Sequence, residues 1–72
     1  MRLLTLVFIG RDDFDLPVYK CAGRLYVDVS PRKDKPPTIC TKYKNEFYGE
    51  PDTPIKENIE IVFVPYRDVW RF

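Results

Sequence analysis

Histidine is missing from all 72 residues. The chain therefore lacks the commonest general base, the usual imidazole ligand of zinc and the base of the familiar Ser-His and Cys-His pairs. Cysteine is scarce. Cys21 and Cys40 are too few for a disulfide framework and cannot by themselves complete a four-thiolate site. Their plain reading is two reduced, partly buried thiols in a cytoplasmic protein. The three glycines form no phosphate-cradling loop. The opening MRLLTLVFIG is too short to span a bilayer, lacks a small-residue cleavage pattern and runs directly into acids, so it is not expected to act as an anchor or signal peptide. Net charge is nearly absent: 12 basic against 11 acidic residues give +1, which supplies no overall pull toward nucleic acid or membrane.

What the chain does have is aromatic residues, at 15% of the total, and these give a small core much apolar area per residue. The length fits a single domain, residues 1–72, near the lower limit for folding without a staple. Charge is unevenly placed. Residues 17–45 hold seven basic side chains against two acidic, and the rest hold five against nine. Folding either separates these into two flanks or interleaves them.

The clearest local signal is a hairpin over Pro17–Val29. Val18, Tyr19, Leu25, Tyr26, Val27 and Val29 suit a pleated, half-buried surface. A two-residue turn at Ala22-Gly23 would put the Cβ of Ala22 at positive φ, so the expected turn is type I over Cys21-Ala22 with Gly23 as a left-handed bulge residue. That choice pairs Lys20 with Arg24, Tyr19 with Leu25 and Val18 with Tyr26. It places Tyr19, Leu25 and Val27 in the core and turns Tyr26 outward.

Leu3–Ile9 is apolar on both faces and reads as a central strand covered on both sides, or a strand inside a small barrel. Phe14 and Leu16 are expected to cap the core from the following Asp-rich loop. Thr38–Lys44 alternates and reads as a strand, with lysines guarding an edge. Ile59–Val64 is a further strand. In 45–58, Gly49, Pro51 and Pro54 break regularity, and Thr53-Pro54 suits one helical turn over 54–58. Trp70 and Phe72 are expected to dock on the body rather than leave an apolar tail in solvent. The fold class that follows is all-β: a small SH3-like barrel or strongly bent, mostly antiparallel sheet of about five strands (2–9, 17–21, 24–29, 38–44 and 59–64), with at most one short helical turn. An open meander with a short helix or lid on one face is the alternative.

No pattern carries catalytic chemistry. Asp12, Asp13 and Asp15 lack the glycine and distal glutamate of a calcium loop. Glu46, Glu50 and Asp52 form a second acidic set with no partner base. Neither a cofactor nor a metal is expected, and the chain does not read as an enzyme. Two binding classes remain. The first is a protein-interaction module. Its contacts would come from the loop residues Asn45, Glu46, Phe47, Gly49, Glu50 and Asp52 and from the C-terminal Tyr66 and Trp70, residue types that hold a defined loop or enrich binding hot spots. The second is a single-strand nucleic-acid binder using Lys20, Arg24, Tyr26, Lys42 and Lys44, cations beside aromatic platforms. An open edge strand could also pair two copies into a homodimer.

Five strings carry a resemblance: Gly10-x-Asp12, PVYK (Pro17–Lys20), GRLYVDV (Gly23–Val29), NEFxGEPDxPI (Asn45–Ile55) and RDVW (Arg67–Trp70). Together they resemble short uncharacterised proteins of Firmicutes, phages and mobile elements, similar to a small accessory domain of large polyvalent proteins. That group has an acidic or Asn residue before the turn glycine and Trp near position 14, where this chain has Ala22 and Phe14. The resemblance implies a mobile-element context and carries no activity over to this chain; in that context the interaction module is expected to be an accessory or inhibitory factor of a phage or mobile element.

Overall fold

The computed structural model describes residues 2–56 and 58–70. Six strands form one mixed sheet: β1 (Arg2–Arg11), β2 (Pro17–Cys21), β3 (Arg24–Asp28), β4 (Ile39–Lys42), β5 (Pro51–Pro54) and β6 (Ile59–Val64). The spatial order is β5-β4-β3-β2-β1-β6. Neighbours from β1 to β5 run antiparallel, and β6 lies parallel to β1. The class is all-β as expected, but the sheet is neither closed nor strongly curled, which corrects the barrel. The ladder ends at β5 on one side and β6 on the other.

The helical turn also moves. A 3₁₀ turn occupies Tyr43–Asn45, with Lys44 and Asn45 both at φ 54°, and it ends β4 two residues earlier than the alternation implies. Thr53-Pro54 belongs to the strand β5, whose pairing with β4 makes β4 an interior strand. Of the remaining expectations, Phe72 and position 57 lie outside the described residues.

The hairpin forms through the turn that steric cost argued against. Ala22 and Gly23 have φ of 49° and 79°, the type I′ combination, and the pairs are Cys21 with Arg24, Lys20 with Leu25, Tyr19 with Tyr26 and Val18 with Val27. The type I′ turn matches the right-handed twist of the strands, which offsets the cost at Ala22. The register therefore slips by one from expectation and moves β3 to the other face. Tyr19 and Val27 are both fully buried, but in different layers. Tyr26 packs half-buried in the Tyr19 layer instead of facing outward.

Two apolar layers result. Leu6, Tyr19 and Ile39 centre the first, with Leu4, Phe8, Tyr26, Ile55, Ile61 and Phe63 around them. The rings of Phe8 and Phe63 flank Tyr19 at centroid distances of 5.8 and 5.1 Å. The chain returns from β5 to β6 under this layer, where Ile55 packs. Val18, Val27 and Cys40 centre the second layer, with Leu16, Leu25, Val29 and Phe47 packed on them. The two thiols are free and sit in different layers, Cys21 with Tyr19 and Cys40 with Val18.

Replacing Ala22 with Asn, which tolerates the left-handed region, should stabilise the hairpin by roughly 0.5–1 kcal/mol. The expected readout is a higher urea midpoint at unchanged slope. A lower midpoint would contradict the type I′ assignment.

Candidate interaction surface

The second layer covers only half of its face. From β2 to β4 it is roofed by Phe47, whose ring reaches down to Gly10. Gly10 has φ 147°, and a Cβ there would meet Phe47 Cζ at 3.3 Å. Beyond Gly10, over the earlier part of β1 and over β6, the roof stops. Val7 pairs with Lys20 on one side and Val64 on the other, and Thr5 pairs with Val62 and Leu3 with Glu60. With a period of two, these rows put Leu3, Thr5, Val7, Glu60, Val62 and Val64 on one face. The sheet bulges between Phe8 and Gly10, and the inserted Ile9 is also exposed. Leu3 is 62% exposed, and Val7, Ile9, Val62 and Val64 stand at 39–43%. Together they form a contiguous apolar stripe facing water. The expectation that both faces of β1 are covered is thus corrected: its pattern is two-sided, and only the Leu4, Leu6 and Phe8 side is packed.

The two sheet edges differ. β5 is four residues long with proline at both ends, which removes donors from the edge. β6 has six residues, contains no proline and carries one charge, Glu60. The open apolar face therefore runs directly to the unprotected edge.

The sequence-derived contact residues are largely structural. The Asn45 carboxamide accepts from the Leu25 N–H at 2.7 Å and donates to the Gly23 carbonyl at 3.0 Å, clasping the hairpin tip. Phe47 is half-buried and stacks edge-on with the exposed Tyr48 at 4.8 Å. A Cβ on Gly49 would lie 2.5 Å from the Tyr43 carbonyl oxygen. Trp70 is half-buried, its indole N–H donating to the Asp15 carbonyl at 2.8 Å and its backbone N–H to the Pro31 carbonyl at 2.7 Å. Tyr66 is 62% exposed. Glu46, Glu50 and Asp52 are exposed and do not converge. Glu50 lines an open apolar groove with Phe14, Leu16, Val29 and Pro51, whereas Asp52 lies beside Arg24 and Lys44. Phe14, expected to cap the core, is itself 56% exposed on that groove. Among the described residues no group of His, Cys, Asp and Glu could hold a metal ion.

In the nucleic-acid set, Lys20, Arg24 and Lys44 are exposed, and Tyr26 is half-buried. Lys42 is the clearest departure. Its side chain is fully buried and ion-paired with Asp12, which is buried as well, and its ammonium also donates to the Gly49 carbonyl at 2.8 Å. It is not offered to any ligand.

Asp12 accepts in addition from the Phe14 and Leu16 N–H groups at 3.0 and 3.1 Å. Asp28 is built in the same way: the Ser30 and Thr38 N–H groups donate to one oxygen and Arg67 Nε to the other at 3.0 Å. Arg67 further donates to the Ser30 and Lys35 carbonyls, and Arg11 pairs with Asp68. The beginnings of this network lie in the string RDVW, which has charges within an otherwise apolar tail. Burial pushes the Tyr19 phenol up to about 12; the Asp68 N–H, donating to its oxygen at 2.9 Å, opposes this, and the Asp28 and Asp68 carboxylates add to it. Burial also raises the Cys40 thiol, which makes it a poor nucleophile.

No protein-family model, curated protein or solved structure matches the chain.

Asp12→Ala would strand the buried Lys42 charge and should cost about 3–5 kcal/mol in urea unfolding, enough to unfold most of a domain this small. A loss below about 1 kcal/mol would show the pair to be solvated. Tyr19 gives a separate expectation. Its folded ionisation lies above its ordinary value of 10.0, so its contribution is complete below pH 10 and falls away as pH rises through about 12. Thermal unfolding of Tyr19→Phe should therefore be less pH-dependent than wild type over that window.

Proposed function

We propose that this chain is a non-catalytic protein-interaction module whose contact surface is the outer face of β1 and β6. The observation that carries the reading is the uncovered apolar stripe of Leu3, Val7, Val62 and Val64, continuous with an edge strand that no proline protects. An exposed edge adds a partner strand through main-chain hydrogen bonds, and neighbouring side chains give the contact its selectivity. The loop at 45–54 supports this surface indirectly: Asn45 and Phe47 hold the hairpin and roof the other half of the same face. Tyr66 follows two residues beyond β6 and is exposed.

The alternative, single-strand nucleic-acid binding, keeps Lys20, Arg24 and Lys44 but loses Lys42 to its buried pair. The resemblance of Asn45–Ile55 to short Firmicutes and phage proteins adds a mobile-element setting, in which the module is an accessory or inhibitory factor. Two free thiols fit a cytoplasmic location for it. Among the described residues no helix is long and apolar enough to cross a membrane.

The test is capture from a host lysate by wild type and by a Leu3→Lys/Val62→Lys variant whose circular dichroism matches wild type. A specific protein should be retained by wild type and lost from the variant. Equal capture by both would overturn the β1–β6 surface.

A further inference from the structure

The stripe and edge have a symmetry property that identifies one occupant. We infer that the β6 edge pairs antiparallel with the β6 edge of a second copy, joining two sheets into one of twelve strands. This rests on the reading of the β1–β6 face as a contact surface.

Three observations carry it. First, among the described residues β6 is the edge left open: β5 is blocked by Pro51 and Pro54, so pairing through β6 closes on itself as a dimer and does not propagate. Second, two-fold pairing centred on Val62 sets Glu60 opposite Val64 of the other copy. In that copy Val64, Val7 and Lys20 lie in one cross-strand row. Glu60 is thus brought to the row that ends in the second copy's Lys20, three strand spacings or roughly 14 Å away between Cα atoms, a gap that two long side chains narrow. The same holds in reverse, so both charges on this face meet the opposite sign. Third, in such a pair the six-residue edges satisfy each other's outward main-chain groups, and the Val62 side chains of the two copies, each 42% exposed, come directly opposite one another at the axis.

Sedimentation equilibrium of the purified full chain tests this directly. Wild type should be dimeric at high micromolar concentration. Val62→Lys, which sets two ammonium groups against each other at the two-fold axis, should weaken association about tenfold or more. Glu60→Lys should weaken it less, and adding Lys20→Glu should restore it; amide exchange should show β6 protected in the dimer and not after dilution. A monomeric wild type, or a dimer indifferent to Val62→Lys, overturns the inference. If that monomer still captures a lysate protein through Leu3 and Val62, only the dimer falls; if capture is indifferent to both residues, the contact surface falls with it.

Discussion

Two buried carboxylates of the same design hold the loops of this sheet. Asp12 follows β1 and Asp28 ends β3. Each accepts two backbone N–H groups from its own loop and one cation from a distant segment, Lys42 for Asp12 and Arg67 for Asp28. Burying a carboxylate is tolerable only when its oxygens are fully occupied and its charge is matched. Both conditions are met, and among the described residues no buried side-chain polar atom lacks a partner. The cations tie together parts of the chain that the sheet ladder does not join. Lys42 draws the 43–50 loop against the turn after β1 through the Gly49 carbonyl, and Arg67 draws the C-terminal segment across the loop after β3.

These ties decide what is covered. A lone sheet has two faces, and a stable domain normally packs a second layer on each apolar one. Here loops do that work. The return from β5 lies under the Tyr19 layer, and Phe47 is held over the Val18 layer by a loop anchored at Lys42 and Asn45. The 43–50 loop extends from β4, so its reach ends near β2 and Gly10. β1 and β6 stand beyond it, which is why an apolar face remains open there.

Much of the sheet is legible in the sequence, because alternation and β-branched runs mark β1, β2, β3, β4 and β6. Four features are not, each for a physical reason. The hairpin register turns on whether Ala22 accepts a left-handed conformation, a cost of about 1–2 kcal/mol. Asn45, 22 residues from Gly23, helps to hold that turn by bonding Gly23 and Leu25. β5 is hidden because PDTP carries turn chemistry, and only its pairing with β4 makes it a strand. Lys42 alternates like a solvent-facing residue, and its burial depends on Asp12, 30 positions earlier. The two-sided pattern of Leu3–Ile9 is visible, but a pattern records which residues are apolar and not whether anything covers them. The loop and tail, whose residue types suggest a contact surface in the sequence, have most of their polar groups engaged in holding the fold.

Leaving the β1–β6 face open has a measurable consequence for an isolated chain. At ~25 cal/mol per Å², an exposed apolar patch of several hundred Å² withholds on the order of 10 kcal/mol of transfer free energy. That is comparable with the whole stability of an ordinary domain. Ordering and rigid-body entropy would consume much of it on association, so such a face gives modest affinity unless main-chain pairing adds to it. In the proposed contact β6 would supply that addition. Its inward residues Ile61 and Phe63 are anchored in the Tyr19 layer, so the edge is already rigid, and pairing would order little that is not ordered already. The apolar stripe and the open edge are thus continuous, and the two carboxylate clamps keep the loops where they cannot close over either.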